Sequence, residues 1–173
     1  MAVIANVLVR QQQARGYPSV DAFIKVDTTF AYAAHNGCHR YAKLMAASDD
    51  QIAKDTEGMG AAVRAACNAF SDKPIDYSRG AFFWDGADFK SNYKTHPKVN
   101  EGGIHFTDPS HNIYGIQSND VPGENWKRDA KGKPTTLRGK WKYKFESTVA
   151  YGGTIFWKYN ADFLKGSGNK AYN

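Results

Sequence analysis

The sequence has little cysteine: two residues in 173, Cys38 and Cys67. That is too few for the disulfide framework of a small stapled scaffold, so apolar packing must hold the fold. A single bridge stays open for an oxidising compartment, with buried thiols the commoner outcome. No apolar run approaches the roughly 20 residues that cross a bilayer, and the opening residues lack the basic segment, apolar stretch and cleavage site of a secretory signal. No membrane partner is therefore expected. No serine occupies a Gly-x-Ser-x-Gly elbow, and neither cysteine has the flanks of a known thiol nucleophile, which disfavours acyl transfer. Internal repeats are lacking too, and the glycines of the tail "LKGSGNKAYN" miss the lysine spacing of a phosphate loop, so that tail reads as a flexible terminus.

Positive charge and rings are plentiful. The formal net charge is +6, which favours an anionic partner such as nucleic acid, acidic lipid or an acidic cell-wall polysaccharide. Lys127, Arg128, Lys131, Lys133, Arg138, Lys140, Lys142 and Lys144 supply much of the excess, so the field is lopsided toward the later part of the chain. Ten tyrosines and four tryptophans concentrate the apolar surface in rings with a polar tip, which suit a wet cleft as well as a core.

Two textures follow one another. Up to Phe70 the chain reads as helical. Val3, Ile4, Val7 and Leu8 share a helical face that Gly16 stops, with Pro18 just beyond. Ala31 to Ala47 reads as one or two short helices. Ser48 is the N-cap of a later helical run in which Ile52, Met59, Val63, Ala66 and Phe70 form a stripe, broken at Gly58 and Gly60. From Ile75 onward, turn residues punctuate short aromatic and β-branched runs, as in strands and loops. "KWKYKFESTVAYGGTIFWKYN" predicts a hairpin turning at Gly152 and Gly153, with one basic face; "VPGENWKRDAKGKP" predicts a polar, mobile linker.

Several clusters carry candidate chemistry. His35, Cys38 and His39 have nitrogen and sulfur ligands at helical spacing, but no second cluster completes a zinc site, and packed or solvent-facing side chains are the expectation. No metal or cofactor is expected. His105 and His111 flank "FTDPS" without a specific motif. Carboxylates are better placed. Asp76, Asp85, Asp88, Glu101 and Glu146 lie beside rings or glycine turns, and burial against a ring raises a carboxyl pKa enough for proton donation near neutral pH. Hydrolysis of a glycosidic bond needs such an acid, and tyrosine or tryptophan faces stack on sugars. The plain alternative is that Asp85 and Asp88 cap a turn while the rings fill a core.

The order of the pieces resembles a known family. "VIANVLVRQ", "GYPSV", "SRGAFFWDG" and "STVAYGGTIFWKY" follow the layout of SleB-type cell-wall hydrolases, the lysozyme-like enzymes of the spore cortex. They are also similar to the muramidase domains of some type VI secretion effectors. The matching runs are Ala5 to Arg10, Gly80 to Phe83 and Tyr151 to Tyr159. The resemblance implies one lysozyme-like α+β domain over 1–173: a helical half, a short irregular antiparallel sheet and a C-terminal β-hairpin, with a cleft between the halves. It implies cleavage of the peptidoglycan glycan strand by a secreted antibacterial effector in the bacterial periplasm or on the wall, opposed by an immunity protein. Tyr77 and Trp84 would stack on sugars, Arg79 would meet a lactyl or peptide carboxylate, and Asp85 or Asp88 would bond hydroxyl and N-acetyl groups. Phe82 and Phe83 would face inward.

Two departures qualify this. The family's catalytic glutamate precedes the first helix, whereas here no acidic residue comes before Asp21. The expectation is a trailing part of a longer protein with its acid upstream, binding wall glycan but cleaving it poorly alone. Otherwise Glu101 or Glu146 is the second carboxylate or the acid itself. Thr154 also replaces the histidine of the closing motif. The rival readings are a non-catalytic wall-binding or partner-binding module and, less favoured, a nucleic-acid binder or nuclease resting on charge and interleaved rings.

Overall fold

A computed structural model describes residues 1–27, 38–55 and 58–172. The chain is α+β and forms two compact units, Met1–Tyr77 and Ser78–Asn173.

The first unit is helical. Helix α1, Ala2–Ala14, buries Val3 and Val7 one turn apart and stops where Gly16 takes φ +75°. Ser19 caps α2, Val20–Val26, by accepting the Ala22 N–H at 3.1 Å. Phe23 of α2 is fully buried against the Tyr17 ring and under the Arg15 guanidinium. Helix α3 spans His39–Ala46 and α4 spans Asp49–Lys54. Ser48 caps α4 in a capping box, its Oγ accepting from Gln51 N while Gln51 Oε1 accepts from Ser48 N.

The helical run breaks before α5, Met59–Ala69, because the Asp55 carboxylate accepts the Gly58 and Met59 N–H groups at 2.6 and 2.8 Å. Gly60 must be glycine there: a Cβ would lie 1.8 Å from the Asp55 carbonyl oxygen. The stripe expected from the sequence is displaced around the helix. Gly60, Ala65 and Ala69 are the buried positions, and Phe70 is 60% exposed. Small residues let α5 approach α1 closely, so the face of least volume, not of greatest hydrophobicity, turns inward. Cys38 and Cys67 are free thiols.

The second unit holds a four-stranded sheet in the order β1-β6-β5-β2 and a two-stranded ribbon, β3-β4. The strands are β1 Phe83–Asp85, β2 Ile104–His105, β3 Gly123–Arg128, β4 Pro134–Trp141, β5 Phe145–Tyr151 and β6 Thr154–Tyr159. The sheet is mixed rather than antiparallel throughout, since β2 runs parallel to β5. The hairpin forms from β5 and β6 around Gly152 and Gly153, both at positive φ. One sheet face carries the core: Phe89, Val99, Ile104, Ile116, Ile155 and Trp157, ringed by Phe83, Phe106 and Phe145.

Two expectations fail here. The stretch read as a mobile linker contains β3, because its backbone pairs with β4. The tail is not free at its start: Asn160 caps α7, Ala161–Ser167, accepting from Asp162 N and Phe163 N. Helix α7 packs on the ribbon, with Phe163 edge-on to Trp141 and Gly139 so close to Gly166 that a Cβ on Gly139 would lie 2.2 Å from the Gly166 Cα. A short helix α6, Asp88–Asn92, and a π-turn at Lys98–Gly102 join β1 to β2. Among the described residues no helix is long and apolar enough to cross a membrane.

Candidate functional site

The stretch Asp76–Phe89, dense in carboxylates and rings, divides between the two units at Tyr77 and Ser78. Asp76 pairs with Arg10 at 2.6 Å in the first unit, beside a polar groove of about 360 Å³ lined by Asn6, Arg10, Gln13, Phe70 and Asp72. Tyr77 ends that unit half-exposed, its N–H donated to Asn6 Oδ1 at 3.0 Å. In the second unit Arg79 sits at the surface in a left-handed turn, φ +50°, followed by Gly80 at +85°. Its charge acts on Asp108 and His111. Trp84 and Asp85 are successive residues of β1 and so project from opposite faces of the sheet. They cannot jointly hold one sugar.

Asp85, expected to bond sugar hydroxyls, lies in an internal cluster. Its side chain is 11% exposed, with Lys98 Nζ at 2.5 Å and His96 Nε2 at 3.5 Å. The Lys98 ammonium lies within 6.0 Å of the Phe83, Phe145 and Trp157 ring centres. Burial among these rings pulls the Lys98 pKa below the ordinary lysine range, against the attraction and hydrogen bond of Asp85 and the weaker pull of Asp88. His96 accepts the Lys98 N–H at Nδ1, so its neutral ring carries the proton on Nε2, toward Asp85. The cluster fastens the π-turn to β1. Asp88 opens α6 at the surface, and Glu101 rides exposed on the π-turn.

Glu146 stands elsewhere. In the register of the sheet it faces His105 of β2 on one side and Lys158 of β6 on the other. Lys158 Nζ lies 3.2 Å from its Oε1, and the Glu146 side chain is 19% exposed. Trp84 pairs with Phe156, two residues from Lys158, so Trp84, Lys158, Glu146 and His105 belong to the same sheet face. His105 is itself fixed, stacked on Tyr143 at 3.9 Å and bonded through Nε2 to Asp120 at 2.8 Å. This row is the second unit's candidate site: a carboxylate, an ammonium and an imidazole across three strands, with an indole at the end.

A second histidine looks catalytic in composition but not in placement. Ser147 Oγ accepts the Thr107 N–H at 3.0 Å and is hydrogen-bonded to His111 Nδ1 at 2.8 Å. Ser147 is 1% and His111 5% exposed, so the hydroxyl meets no substrate. The pair ties the segment after β2 to β5, helped by Thr107 Oγ1 donating to Ser147 O at 2.7 Å. Burial pushes the His111 pKa down, and Arg79 adds to that while Asp108 opposes it.

Sequence reasoning named Glu146 and Trp84 but missed Lys158, His105 and Tyr143 as their neighbours. Strand alternation in "FWKY" does mark Lys158 as facing away from the buried Trp157. The exact opposition escapes a simple count: a turn at Gly152 and Gly153 pairs Tyr151 with Thr154 and would pair Glu146 with Tyr159, but a bulge at Thr148 shifts it to Lys158. Lys98 and His96 had no sequence signal. Among the described residues no three His, Cys, Asp or Glu side chains are grouped to hold a metal; His35 of the histidine-cysteine cluster lies outside them, Cys38 is half-buried and His39 exposed. Comparison with protein-family models, with curated proteins and with solved structures returns no match.

Proposed function

We propose that the protein cleaves the glycan strand of peptidoglycan, with Glu146 as its acid and base. The observation that carries this reading is the setting of Glu146, a largely buried glutamate paired with Lys158 and opposite His105 in the sheet register, on the face that also bears Trp84. Breaking a glycosidic bond requires a proton on the leaving oxygen as the C1–O bond parts, and a ring face to hold the sugar. Glu146 supplies that proton from its carboxyl, and the carboxylate left behind is the form that pairs with Lys158. The resulting oxocarbenium-like centre is then captured by water, as in a muramidase, or by the sugar's own C6 hydroxyl, as in a lytic transglycosylase, and the attacking hydroxyl's proton returns to Glu146. Glu146 is the carboxylate of the row itself, which serves the intramolecular route, while Asp120, bonded to His105, is the neighbouring carboxylate for the water route. Glu101, exposed on its turn, is the other glutamate candidate.

The motif order shared with SleB-type hydrolases supports the same substrate and a secreted effector acting in the periplasm or on the wall, with an immunity protein as partner. The test is incubation of purified protein with isolated sacculi between mild acid and neutral pH, with chromatography of the soluble products. Products lighter by one water than hydrolysis products identify the intramolecular route. No release at any pH in that range sinks the reading.

A wall-binding module without cleavage is the second reading. It is favoured by one observation: Asp85 and Glu146 each spend a carboxylate on a lysine. Sedimentation with sacculi in the absence of product release would decide for it.

A further inference from the structure

The charge of this protein is unevenly placed. Residues 123–144 contain eight lysines and arginines and two acidic residues, a net +6 that equals the charge of the entire chain. The remaining residues hold fifteen of each sign. Of the eight cations, Lys127, Arg128, Lys131, Lys133, Arg138, Lys140 and Lys142 are exposed. None of these seven forms an ion pair among the described residues; Arg128 donates to the Gly132 carbonyl instead. Lys144 is the exception, half-buried over the Phe163 ring. Six of these seven lie on the ribbon itself, against two acidic residues, Glu124 and Asp129, and an external anion relieves their mutual repulsion.

The ribbon also has two differently built faces. Asn125 and Gly139 face α7, with Asn125 Nδ2 donating to the Gly166 and Ser167 carbonyls. Trp126 and Leu137 are paired in register, and at 38% and 40% exposed they form an apolar step in the middle of the cations. The indole N–H is donated to Glu124 Oε2 at 2.8 Å, which fixes the ring beside a carboxylate. A carboxylate next to the stacking ring can accept hydroxyls from a sugar lying on the indole, while the ligand's own anionic groups meet the lysines instead. Asp129 shapes the turn, its Oδ1 taking the Lys131 and Lys133 N–H groups at 2.9 Å each.

We infer that the β3–β4 ribbon is a binding arm for a carboxylate-bearing glycan, with a sugar on Trp126 and Leu137 and peptide carboxylates on the flanking lysines. Naming that glycan as peptidoglycan with its acidic stem peptides rests on the cleavage reading above. The ribbon does not contain Glu146, so holding the wall and cutting it are separable.

The test is sedimentation of the purified protein with isolated sacculi across a salt series, with product release scored separately. Wild-type protein should sediment at low salt and be released as salt rises, because exposed charges are screened. Lys127→Gln, Lys131→Gln, Lys133→Gln and Lys140→Gln together should weaken retention about ten-fold and flatten the salt dependence. Trp126→Ala should weaken what retention persists at high salt. Circular dichroism verifies that both variants fold, as exposed positions permit. Retention of the four-lysine variant equal to wild type overturns the arm, as does absence of wild-type sedimentation. Displacement by a single-stranded oligonucleotide at lower concentration than by soluble glycan strands also overturns it, in favour of nucleic acid. Retention without product release leaves the arm standing and counts against cleavage alone.

Discussion

Lys98 carries its ammonium into a box of rings and finds one carboxylate there, so the pair is worth little as a net gain but much to break. Removing one partner strands a buried charge, whereas removing both restores an apolar contact. Lys98→Met should therefore cost about 3–5 kcal/mol in denaturant unfolding, and Lys98→Met with Asp85→Leu should recover most of that loss. Equal destabilisation by the single and double variants would refute a direct pairing. His111 gives a pH signature. Burial depresses its folded pKa, so the unfolded state takes up the proton more readily; stability is complete above the ordinary histidine value of 6.5 and falls as pH drops through and below it. Unfolding measured from pH 8 to pH 5 should show that decline, at most about 1.4 kcal/mol per pH unit, and His111→Gln should flatten it while lowering stability throughout. A pH profile unchanged by the substitution would contradict the assignment.

Elements were legible where a local signal settles them. Ser48 announced an N-cap, Gly16 a helix end, and Gly152 with Gly153 a hairpin, each because a few neighbouring atoms determine the outcome. Ribbon strand β3 and helix α7 were illegible for the opposite reason. "GENWKR" and "LKGS" are polar and glycine-bearing, and become ordered through one another: Asn125 reaches the end of α7, and Gly139 leaves room for Gly166. Gly139→Ala should accordingly separate the ribbon from α7, costing about 1–3 kcal/mol or more through overpacking. Gly166→Ala, whose Cβ would meet its nearest neighbours at 3.2 Å, should cost less. Limited proteolysis of the ribbon alongside denaturant unfolding checks the order of the two; the reverse order would show that α7 is not what holds the ribbon.

For the molecule as a whole, the sequence announced a basic chain rich in rings, with its positive excess toward the later part, but not which faces these residues share. Register, which no single position encodes, sent Trp84 and Asp85 to opposite faces, buried Asp85 beside Lys98 and left Glu146 in a row with Lys158 and His105. The positive excess, contiguous in the sequence, comes to lie largely on the β3–β4 ribbon, while the rest of the chain balances its charges. The proposed function divides the second unit into a cutting row and a holding arm, and the cutting row is the central claim. It is tested most directly by comparing wild type with Glu146→Gln on isolated sacculi, reading soluble products per unit time at equal bound protein. Loss of a general acid predicts a fall of about 10²–10⁴-fold with retention on the wall unchanged. Equal rates of release from the two proteins, or none from wild type, would contradict it.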